Sequence, residues 1–138
     1  MPDDATPPAA PRTVVRHAEG RDFQEGLRAF FAYGDLGIAE ATAGRFGAHV
    51  IRAIPGRHAE GKWHLHELEF QMVWVVKGWV RFEYEDIGEV TLSAGTSVLQ
   101  PPRVRHREIA HSDDLELVEI TSPAVFETRE VAGPGVAR

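Results

Sequence analysis

The sequence of 138 residues contains no cysteine, which excludes structural disulfides, thiolate metal ligands and cysteine nucleophiles. Basic residues are in the minority, with 15 Lys and Arg against 21 Asp and Glu and a net charge of −6. Such a chain is a poor match for nucleic acid, whose phosphates need many cationic contacts. No apolar run approaches the roughly 20 residues that a membrane-spanning helix needs. These absences predict a cytoplasmic protein that binds neither nucleic acid nor membranes.

The length suits one domain, and its composition changes along the chain. Proline and alanine dominate the first residues, which predicts a disordered or extended tail over residues 1–20. Residues 21–47 mix apolar residues at helical spacing with glycines, and we expect an N-terminal arm with a short helix or a brief strand. Residues 48–127 should form the domain itself, and the glycine-containing residues 128–138 a C-terminal tail.

Short β-rich segments follow one another after Gly47, at intervals of about 8–12 residues. Turn-forming pairs such as Pro55-Gly56 and Lys77-Gly78 separate them. Many short strands without intervening helices are typical of a sandwich or a barrel, so we predict an all-β fold. The predicted strands are Ala48–Ile54, Lys62–Glu67, Glu69–Val76, Trp79–Glu85, Glu89–Leu92, Thr96–Gln100, Arg105–Ala110 and Leu115–Thr121.

Two histidines, His64 and His66, lie two residues apart on one of these predicted strands. Side chains at i and i+2 of a strand share one face, with Cα atoms about 6.6 Å apart, so both rings can reach a single metal ion. A third histidine, His106, lies on a later predicted strand and has Glu108 on its own face. A lone histidine on a strand is weak evidence for a metal site. The combination of all three makes a metal site the stronger hypothesis.

Alternation also predicts which side chains face inward on the next predicted strand, Glu69–Val76. It places Gln71 in the inward row with Val73 and Val75, while Phe70, Met72 and Trp74 face the other way. Because this strand is apolar on both faces, the simplest interpretation is a central strand buried on both sides. The alternative is that the outward residues form part of a dimer interface.

The histidine segments resemble the two sequence motifs of the cupin family. The first family motif is Gly, five residues, HxH, three or four residues, Glu, six residues and Gly; here it is His64-x-His66, four residues, Gln71, six residues and Gly78. The second is Gly, five residues, Pro-x-Gly, two residues, His, three residues and Asn; here it is Gly95, five residues, Pro101-Pro102-Arg103, two residues, His106, three residues and Ala110. The departures are a displaced first glycine, Gln71 for Glu, Arg103 for Gly and Ala110 for Asn.

The resemblance implies a single jelly-roll β-barrel that holds one divalent metal ion with His64, His66, His106 and Gln71. An amide oxygen can coordinate a metal but is neutral, so Gln71 either ligates directly or hydrogen-bonds a ligand from outside the coordination sphere. Imidazole and amide ligands suit Fe, Ni, Zn, Co or Mn without selecting one of them. The resemblance also makes a homodimer a reasonable expectation.

The leading functional hypothesis is a metalloenzyme with dioxygenase-, isomerase- or lyase-like chemistry on a small molecule that chelates the metal through oxygen. The candidate bases are Glu108 and a metal-bound hydroxide, and Glu108 is the side chain predicted to be catalytic. The alternative is a non-catalytic metal- or ligand-binding module, because one fold can carry many functions.

Other polar residues near the motifs allow two interpretations each. Among Arg103, Arg105 and Arg107, one could face the pocket and bind a substrate oxygen, although a solvated edge with surface ion pairs is favoured. His49 could line the pocket or pack in the interior. The remaining histidines, His17, His58 and His111, are expected to face solvent.

Overall fold

Eleven strands and one short helix make up the protein in a computed structural model, which describes residues 10–135. The predicted disorder of the first nine residues and the last part of the predicted C-terminal tail lie outside the described residues. In chain order the elements are β1 (Gln24–Glu25), β2 (Phe31–Asp35), α1 (Ile38–Ala41), β3 (Gly47–Ala53), β4 (His64–Glu67), β5 (Phe70–Lys77), β6 (Trp79–Tyr84), β7 (Gly88–Ser93), β8 (Ser97–Leu99), β9 (His106–His111), β10 (Glu116–Ser122) and β11 (Glu127–Glu130).

The strands form two antiparallel sheets, with the order β1-β2-β3-β10-β5-β8 in the first and β11-β4-β9-β6-β7 in the second. This arrangement confirms the predicted all-β jelly-roll. Each of the eight strands predicted after Gly47 has a counterpart among β3 to β10. None of the helices over residues 10–135 has the length and apolar character to cross a bilayer.

In the predicted arm, Phe30 and Phe31 lie next to and at the start of a strand rather than in a helix. Phe31 begins β2, which pairs with β3, and both Phe30 and Phe31 are buried in the core. The four-residue helix α1 comes later, after Gly37, whose φ of 78° is readily adopted by glycine. At the other end of the chain, β11 pairs with β4 and covers the edge of the second sheet. The division of the chain at residues 47/48 and 127/128 stays a prediction.

Alternation along the strands separates an apolar end of the interior from a polar one. On β5, Gln71, Val73 and Val75 are buried, as the two-residue period predicts. Phe70 and Trp74 are exposed, so the interpretation of a strand buried on both sides is wrong for the single chain. The strand register carries this pattern across the first sheet, where Val75 pairs with Leu117, Val73 with Glu119 and Gln71 with Thr121. The interior therefore changes from aliphatic to hydrogen-bonding side chains along one direction of the barrel.

One extra residue in β9 reverses this alternation. Phe82 of β6 pairs with Glu108, but the preceding Arg81 pairs with Ala110, so Ile109 has no partner of its own. Such a β-bulge moves every following side chain to the opposite face. His111 consequently points inward, with its side chain 2% exposed. The prediction that His111 faces solvent is wrong for this reason.

Two motif positions that offer no metal ligand, Gly78 and Arg103, lie in turns and have positive φ angles. Gly78 has a φ of +75°, and a Cβ there would lie 2.6 Å from Asp114 Oδ1, so the tight turn requires glycine. Arg103 stands at the family's second-motif glycine and keeps a φ of 63° despite its side chain. Its backbone N–H donates to the His66 carbonyl at 3.1 Å, which ties this turn to β4.

Candidate metal centre

Three imidazole rings meet at the polar end of the interior. His64 and His66 lie on β4, and cross-strand pairing puts His106, the first residue of β9, directly opposite His64. The ring centroids of His64 and His106 are 4.2 Å apart, and each lies 5.1 Å from that of His66. One nitrogen from each ring lies within 4.8 Å of the other two, and all three side chains are buried.

The Nδ1 atom of each ring already has a partner outside the cluster. His64 Nδ1 lies 2.8 Å from the Lys62 carbonyl, and His106 Nδ1 lies 3.0 Å from the Val104 carbonyl. His66 Nδ1 lies 2.8 Å from the Thr128 hydroxyl on β11. An Nδ1–H donated to an oxygen fixes the ring and leaves Nε2 with a lone pair, which is how metal-binding histidines are normally held. This donor set fits one divalent transition metal ion.

Burial also keeps the three rings in the uncharged form that a metal requires. Burial lowers the pKa of His64 to about 3, with a further contribution from the neighbouring His106. Burial and the same neighbour lower the pKa of His66 to about 2. Burial lowers the pKa of His106 to about 4, although its bond to the Val104 carbonyl acts in the opposite direction. At neutral pH the cluster therefore offers lone pairs rather than positive charge.

Gln71 lies in the same cavity, and its side chain is held by a second polar residue. The Gln71 side chain is buried, and its Nε2 donates a 2.8 Å hydrogen bond to Glu119 Oε2. This bond leaves the amide oxygen available for another partner. Burial raises the pKa of Glu119, and the hydrogen bond from Gln71 opposes that rise. Sequence analysis missed Glu119, although alternation between the buried Leu117 and Thr121 on β10 points to it.

Glu108 lines the cavity on the opposite sheet. Its Oε2 lies 2.7 Å from His111 Nδ1, and both side chains are almost completely buried. His111 in turn lies against the rings of Phe30 and Phe31, with centroids 5.7 and 5.3 Å away. Burial raises the pKa of Glu108, while the hydrogen bond to His111 acts to lower it. One carboxylate oxygen is thus held by His111, and the carboxyl group faces the cavity beside the histidines.

The cavity has a volume of about 890 Å³ and is also lined by His49, the alternative that sequence analysis left open. None of the three arginines around His106 lines it. Arg103 binds Glu67 at 2.8 Å, Arg107 binds Glu83 at 2.7 Å, and Arg105 donates to the Ala132 carbonyl at 3.0 Å. Arg16, Arg21 and Arg28 do line the cavity, and Arg28, which precedes β2, carried no signal in the sequence.

The two sheets and the buried histidine cluster define a small β-barrel with a candidate metal site in its interior. The chain belongs to the cupin family, because the sequence profile of the cupin domain matches residues 50–121, more than half of its length. No curated protein sequence is significantly similar to this chain.

Solved structures of the same fold cover most of the chain. KdgF from Halomonas sp. is 21% identical with a TM-score of 0.66, over 81% of this chain and 94% of that one. Streptomyces PAC13 with uridine is 15% identical with a TM-score of 0.62, over 86% and 91%. Hydroxypropylphosphonic acid epoxidase from S. wedmorenis is 17% identical with a TM-score of 0.64, over 84% and 64%. At these identities the likeness establishes the fold alone.

The bond between His66 and Thr128 provides a test of the site that leaves all the histidines in place. Thr128→Val removes the hydroxyl that holds the His66 ring, and we expect metal affinity to fall by about tenfold or more. Thr128→Ser keeps the hydroxyl and should bind metal like the wild type. Competition with a chromophoric chelator measures both affinities. Equal affinities for the valine and serine variants would contradict this role of the hydroxyl.

Proposed function

We propose that this cupin binds one divalent transition metal ion through His64, His66, His106 and Gln71, and uses it in chemistry on a small molecule. The observation that carries the proposal is the meeting of three buried, uncharged imidazoles whose Nδ1 atoms are all held from outside. With Nδ1 held in this way, the Nε2 atom of each ring is left free for a ligand, and a single ion can accept all three lone pairs.

Gln71 is proposed as the fourth ligand, through its amide oxygen. Its Nε2 is engaged by Glu119, which fixes the amide so that the oxygen is the free end. Three imidazoles and an amide leave the full charge on a divalent ion, which favours strong polarisation of a bound oxygen. Fe, Ni, Zn, Co and Mn all accept such ligands. A solved structure of the same fold, that of hydroxypropylphosphonic acid epoxidase (HppE), contains Fe(II).

A bound metal would supply Lewis acidity toward the oxygen atoms of a chelating substrate. The cavity is of the size that small-molecule sites usually have, about 300–1,000 Å³. Glu108 is the proposed base, because it faces the cavity and its burial raises its pKa towards the range useful for proton transfer. His111 would hold one of its oxygens in place while the other accepts a proton from the substrate. This assignment supports dioxygenase-, isomerase- or lyase-like chemistry.

The ligand assignment is tested by metal content after single substitutions. His64→Ala, His66→Ala and His106→Ala should each lower metal content sharply, because three imidazoles form the core of the site. His58→Ala, which changes an exposed histidine, serves as the control. Elemental analysis of the purified variants gives the result. Stoichiometric metal in any of the three cavity variants would contradict the assignment.

A substitution at Gln71 also affects its hydrogen-bond partner Glu119, so the test of Gln71 changes both residues. Gln71→Glu alone adds a ligand charge but places it beside the Glu119 carboxylate, so we expect little gain in affinity. The exchange Gln71→Glu with Glu119→Gln keeps the hydrogen bond and adds the charge to the metal side, and it should bind metal most tightly. Gln71→Ala should weaken binding. If all three variants match the wild type in chelator competition, direct ligation by Gln71 is wrong.

Turnover distinguishes an enzyme from a metal- or ligand-binding module. Fe(II)-, Ni(II)- and Zn(II)-loaded proteins are incubated with dicarbonyls, flavonols and keto acids, and the products are followed by mass spectrometry. An enzyme should convert at least one class, and Glu108→Gln should reduce that rate by about 100-fold or more without loss of metal. A protein whose melting temperature falls on chelation but which converts nothing would favour the binding module.

We also propose a cytoplasmic homodimer. Phe70, Trp74 and Leu99 are 39%, 46% and 58% exposed on the outer face of the first sheet, and Met72, between them, pairs with Leu99. A second copy of this chain would bury this apolar face. Trp74→Glu should then yield monomers by light scattering, while Ile87→Glu, at an exposed turn on the other sheet, should leave the dimer intact. A monomeric wild type would contradict the proposal.

A further inference from the structure

Arg28 lines the cavity and has one guanidinium nitrogen that is buried without a partner in the described part of the chain. Its Nη2 atom is fully buried and has no hydrogen-bond partner among the described residues. Its backbone N–H donates to the Tyr33 hydroxyl at 3.2 Å, which anchors the segment to β2. Because a buried N–H donor without a partner is costly, this nitrogen at the edge of a candidate active site favours the binding of an anion.

Two of the acids that line the cavity, Glu108 and Glu119, are already bound to other groups. Glu119 accepts a hydrogen bond from Gln71 at 2.8 Å, and Glu108 is held by His111 at 2.7 Å. No ion pair joins Arg28 to these or to any other acidic residue within residues 10–135. The guanidinium therefore remains available to a group that enters the cavity from outside.

Arg28 lines the same cavity as the three histidines of the cluster. A metal ion held by these rings would place a second positive charge near the first. An anionic group between the two cations would relieve this repulsion in a partly desolvated cavity.

We propose that Arg28 binds a carboxylate of the substrate, so that the cavity accepts a small organic acid. The planar guanidinium fork matches a carboxylate with two parallel hydrogen bonds. A monoanion suits Arg28, whereas a phosphate dianion would also meet the carboxyl groups of Glu108 and Glu119, which line the same cavity. Phe82 and Phe126 line the same cavity and offer apolar surface to the carbon skeleton. The inference rests on the proposed function only for the statement that this ligand is the substrate.

Anion binding is measured on the full-length protein after removal of metal by chelation. Acetate, pyruvate and benzoate are titrated at constant ionic strength, alongside acetamide, pyruvamide and benzamide as neutral counterparts and inorganic phosphate as a different anion. The readout is the NMR signal of the Arg28 Nε–H group, assigned by its loss in Arg28→Gln. At least one carboxylate should shift this signal saturably, with its amide about tenfold weaker or more.

Variants show whether the site is Arg28 itself. Arg28→Gln should weaken carboxylate binding, measured by calorimetry, by about tenfold or more, and Arg28→Lys should retain part of it. Arg81→Gln removes the same charge from the outward side of β6 and should bind like the wild type. The proposal is overturned if no carboxylate binds, if the amides or phosphate bind as well as the carboxylates, or if Arg28→Gln binds normally.

Metal content separates this inference from the proposed function. Arg28 is not a proposed ligand, so Arg28→Gln should keep the metal content of the wild type. Normal metal binding without carboxylate binding would overturn the inference and leave the metal site standing. Carboxylate binding in a protein that takes up no metal would support the inference and overturn the proposed metal site.

Discussion

Side chains alternate between the two faces of each strand, and strand register determines which inward-facing side chains meet between the two sheets. Every inward row is fixed by register: Gln71 is brought beside Thr121, and His64 beside His106, because β5 and β10, and β4 and β9, pair at those residues. A shift of one residue in either pair would exchange the polar row for outward-facing side chains. The candidate metal centre is therefore a consequence of strand pairing, with the ring orientations set afterwards by hydrogen bonds to Nδ1.

A polar interior of this kind is stable only if its groups satisfy one another. The three imidazoles avoid the cost of buried charge by staying neutral, as the lowered pKa values indicate. The two buried carboxyl groups each have a neighbouring side chain as partner, Gln71 for Glu119 and His111 for Glu108. Among the groups left without a partner in residues 10–135, the free ring nitrogens, Arg21 Nε and Arg28 Nη2 all belong to residues that line the cavity. The unpaired groups are thus those that can bind a ligand.

The sequence was sufficient to predict the barrel and the meeting of the three histidines. Both follow from local rules, since alternation assigns faces and the spacing of His64, His66 and His106 resembles the cupin motifs. His111 was predicted wrongly because nothing in the sequence around Ile109 marks a bulge; there is no glycine or proline in β9. Arg28 was missed for another reason. It belongs to an arm whose path depends on packing against β2 rather than on any periodic pattern.

Glu119 connects these observations to the main departure from the family motif. A carboxylate at position 71 would face the Glu119 carboxylate at hydrogen-bonding distance, and two such groups in a desolvated cavity cannot both remain ionised. An amide avoids this conflict, because its nitrogen donates to Glu119 while its oxygen stays free for a metal. Glutamine at position 71 is therefore better understood together with Glu119 than as the loss of an acidic ligand. The pair retains a carboxylate next to the proposed coordination sphere, one hydrogen bond away from the proposed ligand Gln71.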